Sequence, residues 1–400
     1  MSTTYNYHNT DISFDFSKET NRLHTNSLKW DVQEHELPMW VADMDFPTAP
    51  CVKEAILQKA ASGIYGYSII PNAYFQSIQN WWKTRHDTFF ETDWMMFCTG
   101  VVPAISSMVR KLTTPAENVL IQSPVYNIFY NSILNNGRNV ISSDLLYTNG
   151  EYHIDFKDLE EKLALPQTTM MILCNPHNPI GKIWDKETLA RIGALCAKHH
   201  VIVVSDEIHC DLCDPGEFYV PFASVNEVNK AISITCVSAS KAFNLAGLQA
   251  ACIIVPDPFL RHKVNKGINT DEVAEPNVFA IEASMAAYEK GGAWLDQLRG
   301  YIKQNKEDAI HFCETYCPDI HIISSQATYL LWIDCHKVFE DSALLADFIR
   351  QHTGLYVSNG YEYGENGKSF LRMNIACPNS RLQDGLRRLK QGIDLWKKSA

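Results

Sequence analysis

Residues 237–248 read VSASKAFNLAGL and set Lys241 among small and hydroxylated residues, directly after the apolar run AISITCV (231–237). No other basic residue lies within ten positions on either side, so this amine is isolated from like charge. A lysine in such a place can act as a nucleophile or as a base once it loses its proton. Two other apolar runs end in polar groups. Asp206 follows four largely apolar positions in VVSDEIH (203–209), and CNPHNPIG (174–181) puts two Asn-Pro pairs and Gly181 just past an apolar run, a composition that forces an irregular turn.

The elements around these residues follow from hydrophobic patterning. Between about residues 95 and 260, short apolar runs (NVLIQSP, MMILCNP, VIVVSDEI, AISITCV and AACIIVP) alternate with longer amphipathic stretches. KETLARIGALCAKHH, between the second and third runs, carries Leu189, Ile192 and Leu195 at helical spacing. Near-continuous apolar strands alternating with helices predict an α/β fold with a mostly parallel central sheet covered by helices on both faces. After about residue 290 the pattern changes to a long charged helix, the strand-like HIISSQATYLLWID, a helix around ALLADFIRQH and a last helix in LQDGLRRLKQGIDLWKK, which predicts a smaller α+β unit. The expected division is an N-terminal segment 1–45 contributing to the small domain and the site, a large domain 46–290 and a small domain 291–400.

In such sheets ligands bind in the crevice beyond the carboxyl ends of the strands. A carboxylate and an amine at neighbouring buried strand ends are costly unless paired, so Asp206 and Lys241 form either a structural salt bridge or the two ends of a ligand site. Pyridoxal 5'-phosphate would use both: a lysine for its aldehyde, a carboxylate for its pyridine nitrogen, and further donors for its phosphate.

Composition narrows the partners. The chain has 400 residues, 46 acidic against 35 basic, for a formal net charge of -11, and no basic run, which disfavours nucleic acid. No apolar stretch reaches the roughly 20 residues that span a bilayer, and the N-terminus lacks a signal-peptide pattern, so the expectation is a cytoplasmic chain with no membrane contact. The twelve cysteines have no framework spacing. Cys210 and Cys213 form a C-x-x-C after His209, but no second pair stands at zinc spacing, and no metal is expected.

The combination of NPHNPIGKIW, SDEIHCDL and SASKAFNLAGL resembles fold-type I pyridoxal-phosphate enzymes of aminotransferase class I/II. PMWVADMDFPTAP (38–50), YGYS (65–68), SPVYNIF (123–129) and RMNIACP (372–378) narrow the resemblance to cystathionine β-lyases of the MalY/PatB type, from about residue 28 to the C-terminal helix. The resemblance implies Lys241 as the lysine that binds the cofactor covalently and returns as base, and Asp206 as partner of the pyridine nitrogen. It implies Asn178 and His209 near the phenolic oxygen, Tyr126 stacked on the ring, and Ser238 and Ser240 with the backbone of Val101 and Val102 at the phosphate. Tyr67 would reach the phosphate from the neighbouring subunit of a homodimer, and Arg372 would fork onto the substrate α-carboxylate. Trp40, Asp43 and Tyr329 would line the substrate pocket with Tyr67. Gln249 departs from classical aminotransferases, which keep an arginine there for the phosphate. The implied reaction is β-elimination from L-cystathionine or a related cysteine S-conjugate. An aminotransferase is the alternative within this fold, and a regulator-binding protein the alternative outside it.

Overall fold

The computed structural model describes residues 13–339 and 341–399. Its central sheet has seven strands in the spatial order Met95–Cys98, Ala251–Ile254, Ser233–Val237, Ile202–Asp206, Thr168–Cys174, Asn118–Ile121, Asn139–Ser142. Ala251–Ile254 is antiparallel to both of its neighbours; the other neighbouring pairs are parallel. All five apolar runs form strands. Met95–Cys98 and Asn139–Ser142, one at each edge, complete the sheet.

Side chains on a strand alternate between faces, and here both faces are packed. Val119, Ile121, Met170, Ile172 and Val204 join one apolar cluster, while Leu120, Met171, Leu173 and Val203 join another. That double burial is why these runs read as continuous rather than alternating. The helices covering the sheet carry local start signals. Asp185 accepts the Thr188 backbone N–H at 2.7 Å to cap Lys186–Lys198, and Asp257 caps Pro258–Thr270 through Leu260 N–H at 2.7 Å, with Pro258 in the first turn.

A second sheet, antiparallel throughout, holds His321–Ile322, Leu330–Asp334, Phe370–Asn374 and Ser358–Asn359 in that order. Helices Gly292–Tyr316, Ser342–Thr353 and Asn379–Ser399 accompany it, as the sequence pattern predicts. The N-terminal segment reaches this part through a short parallel pairing of Leu37–Pro38 with Leu355–Tyr356. Residues 39–46 then lie along its last strand: Asn374 N–H donates to Met39 O at 2.8 Å, and the Asn374 amide donates to Val41 O at 2.5 Å and Asp43 O at 2.6 Å. No helix among the described residues is long and apolar enough to cross a membrane.

Candidate active site

A cavity of about 220 Å³ opens where the strands Ile202–Asp206 and Thr168–Cys174 end and helix Val101–Leu112 begins. Lys241, Asp206, Asn178, Tyr126, His209 and Ser240 all line it. Three strand ends build it. Asp206 is the last residue of its strand, in register with Cys174 on one side and Cys236 on the other. Asn178 lies in the turn after Cys174, where the Asn175–Pro176 and Asn178–Pro179 bonds are cis. Gly181 ends that turn at φ +66°, and a Cβ there would come within 2.5 Å of Ser325 and 2.7 Å of Ala327 O, so only glycine fits. Lys241 stands in the one-turn helix Ala239–Ala242, two residues past the strand Ser233–Val237.

Burial tunes the titratable groups. Desolvation, reinforced by the Arg372 charge, pushes the Lys241 amine down to about 8. About a tenth of it is then neutral at pH 7, against fewer than about one in a thousand for an ordinary lysine. Its Nζ donates to Ala42 O at 2.7 Å, a carbonyl that also accepts the Tyr329 hydroxyl at 3.0 Å. Burial raises Asp206 to about 6, because the Ile208 N–H at 3.1 Å and the Lys241 charge offset desolvation only in part. Its neighbour Glu207 points elsewhere, held by Ser205 Oγ, Phe222 N–H and the Tyr219 hydroxyl, and burial lifts it to about 8. Burial together with the Lys241 and Arg372 charges drives His209 down to about 3, so the imidazole is neutral, and its Nδ1 has no hydrogen-bond partner.

At the other end of the cavity, Thr99, Gly100, Val101 and Val102 present the start of a twelve-residue helix. Gly100 holds φ +153° and ψ 161°, a combination essentially reserved for glycine, and no side chain caps the first turn. Free N–H groups and the positive end of the helix dipole therefore face the cavity, which suits an anion. Ser240 and Gln249 also line the cavity, Gln249 in a left-handed conformation.

Not every expected residue faces the cavity directly. Arg372 is buried behind Asn178: one Nη lies 3.4 Å from Asn178 Oδ1, the other donates to Trp40 O at 2.8 Å, its face covers Tyr363 at 4.7 Å, and Nε is unpartnered. Ser238 is committed as the cap of the Lys241 helix, accepting Ser240 N–H at 3.0 Å and donating to Ala250 O at 2.6 Å. Asp43 gives its carboxylate to Arg22, and Trp40 stacks on Tyr356. Tyr329 is buried beside His209, with ring centres 6.2 Å apart. Tyr67 is fully exposed, outside this chain's own cavity. Ala42, whose carbonyl accepts from Lys241 Nζ, and Cys174 also line the cavity. A backbone acceptor carries no residue-type signal, and the only hint at Ala42 is its place inside PMWVADMDF.

These features fit pyridoxal phosphate as a set: a partly neutral buried amine, a buried carboxylate short of a cation, an uncapped helix start for a phosphate, and unpartnered nitrogens on His209 and Arg372. Comparison with known proteins gives the same direction. The family model described as aminotransferase class I and II matches residues 36–389. Cystathionine beta-lyase PatB of Bacillus subtilis is 40% identical over 94% of this chain and 99% of its own, and Protein MalY of Escherichia coli is 34% identical over 95% and 99%. Cystalysin from Treponema denticola, solved with pyridoxal 5'-phosphate, superposes with a TM-score of 0.93 at 32% identity, covering 96% of this chain and 99% of that one. A match to the family model over most of the chain, with two relatives above 30% identity along nearly their full lengths, leads to one conclusion: the chain belongs to the aminotransferase class I and II family.

Proposed function

We propose that this protein is a pyridoxal-phosphate-dependent carbon–sulfur β-lyase that cleaves L-cystathionine or related cysteine S-conjugates to a thiol, pyruvate and ammonia. The observation that carries the reading is the meeting of Lys241, Asp206 and an uncapped helix start around one cavity. The full-length similarity to PatB, and to a cystalysin that contains the cofactor, supports the lyase over an aminotransferase.

When bound, the cofactor supplies an aldehyde that captures amines and a pyridinium ring that draws electrons from the substrate's α-carbon. The chain supplies the rest. Asp206 would hold the ring nitrogen protonated, and that positive charge would in turn keep Asp206 ionised. Tyr126 would cover one face of the ring, with Asn178 and the neutral His209 at the phenolic oxygen. The N–H groups at Val101 and Val102, with Ser240, would bind the phosphate, while Ser238 contributes by capping the Lys241 helix. Arg372 has donors to spare for the substrate carboxylate, a task its planar fork suits. The Lys241 amine, once free, can take the α-proton at neutral pH because burial lowers its proton affinity. Ala42 O would fix where that amine points. Loss of the β-thiolate then completes elimination.

The loop between helices Pro50–Ala61 and Asn72–Arg85 exposes Ile64, Tyr65, Tyr67 and Ile69, an apolar run that suits burial against a second copy. In this reading the enzyme is a homodimer, and Tyr67 completes the partner's phosphate site. N-terminal residues 1–45, a large domain 46–290 and a small domain 291–400 remain the working division, with the cavity lined by the large domain and by Ala42 of the N-terminal segment, and Arg372 from the small domain.

Protein reconstituted with pyridoxal phosphate should release pyruvate and free thiol from L-cystathionine in equal amounts. Keto-acid-dependent amino transfer without pyruvate would replace this reading with the aminotransferase.

A further inference from the structure

The C-x-x-C after His209 has no partner pair in the sequence, yet the fold brings a distant histidine against its first cysteine and the adjoining Asp211. Helix Asn72–Arg85 ends at His86, whose Nε2 lies 2.8 Å from Asp211 Oδ1. Cys210 and Asp211 sit in the short 3-10 turn after the strand Ile202–Asp206. One ligand atom from each of His86, Cys210 and Asp211 falls within 4.8 Å of the others. All three residues line a cavity of about 780 Å³, which shares no lining residue with the catalytic one.

We propose that His86, Cys210 and Asp211 form a site for a borderline divalent cation of the zinc class, with water from the cavity as the fourth ligand.

Donor chemistry supports the choice. One imidazole nitrogen, one thiolate and one carboxylate oxygen are the set that zinc takes, and an all-oxygen cation such as magnesium or calcium would not select it. Trp81 Nε1, from the same helix as His86, donates to Asp211 Oδ1 at 2.8 Å, an outer hydrogen bond of the kind that orients a ligating carboxylate. The cavity is net acidic: Asp87, Asp211, Glu217 and Asp296 face it against Arg85 and Arg299, and both arginines are bonded to Asp296. A cysteine binds zinc as its thiolate, so binding expels a proton and weakens as pH falls.

Position adds a consequence. Asp206 and His209 line the catalytic cavity while Cys210 and Asp211 line this one, so one short stretch of chain serves both. A bound cation would tie helix Asn72–Arg85 to the turn that carries His209.

Equilibrium dialysis of the holoenzyme against micromolar free zinc tests the site. About one zinc per chain is expected, with binding at least about tenfold weaker in Cys210→Ser and in His86→Gln and unchanged in Cys51→Ser, which alters a partly exposed thiol elsewhere. If either site variant folds poorly, cadmium titration of the unaltered enzyme is decisive. A thiolate-to-metal charge-transfer band in the ultraviolet should grow to one equivalent and disappear in a folded Cys210→Ala variant. No zinc at one equivalent, no such band, or binding that survives both site variants would overturn the assignment.

Discussion

Replacing Asp206 with asparagine should affect stability and activity in opposite directions. The folded protein holds this carboxyl at about 6 against an unfolded value near 3.8, because burial outweighs the Ile208 N–H and the Lys241 charge. The folded state therefore binds the proton more tightly than the unfolded one between those values. Above pH 6 the ionised carboxylate costs the cofactor-free fold about 3 kcal/mol, about two pKa units at about 1.4 kcal/mol each, and the cost fades as pH falls from 6 toward 4. Asparagine has no such titration. The stability of cofactor-free Asp206→Asn relative to the parent should therefore rise by about 2.4 kcal/mol from pH 4 to pH 7, whatever constant offset the new amide adds. With cofactor the sign reverses. Removing one partner of a buried ion pair costs about 3–5 kcal/mol, so kcat/KM for pyruvate release should fall by about a hundredfold to several thousandfold. Thermal or urea unfolding of both proteins across this pH range, beside the pyruvate assay, tests the pair of effects. A stability difference that does not vary with pH, or an Asp206→Asn enzyme within a few-fold of full activity, would refute the reasoning.

Lys241→Ala should abolish borohydride-trapped cofactor and lower pyruvate release by more than about a thousandfold, read by mass spectrometry and steady-state assay. Arg372→Lys keeps the charge but loses the planar fork, so kcat/KM should drop about tenfold to a hundredfold, chiefly through KM. Gly100→Ala forces a side chain onto a backbone at φ +153° with Pro103 Cδ 3.1 Å from the new Cβ. That strain of about 1–3 kcal/mol should weaken cofactor binding by about five- to a hundredfold in an absorbance titration. If Tyr67 serves the partner's site, mixing inactive Lys241→Ala and Tyr67→Ala subunits should restore about a quarter of full activity, since half the dimers are hybrids with one intact site of two. No recovery on mixing would remove Tyr67 from that role.

The sequence makes legible whatever leaves a local mark. Asp206 and Lys241 follow apolar runs that could only be strands, and strand ends are where an α/β sheet opens. Asn178 sits among prolines that exclude regular structure. Other residues take partners that their own stretch of sequence does not mark. Ser238 Oγ donates to Ala250 O, and the Asp43 carboxylate pairs with Arg22. The Ala42 carbonyl could not be found by residue type at all. His86 lies 124 positions before Cys210, so spacing arguments confined to the C-x-x-C had no way to include it.

The attachment of residues 39–46 to the strand Phe370–Asn374 has a consequence for synthesis. Those early residues leave the ribosome long before Arg372 and Asn374 exist, and until then Trp40 O, Val41 O and Asp43 O lack the bonds that tie them to that strand. Ala42 lies between these anchors, so the full set of bonds around the acceptor of the Lys241 amine forms only once Arg372 and Asn374 have been made. A nascent chain halted between residues 241 and 372 would carry its lysine, its carboxylate and its helix start, and still lack the Arg372 and Asn374 donors that hold the segment around Ala42.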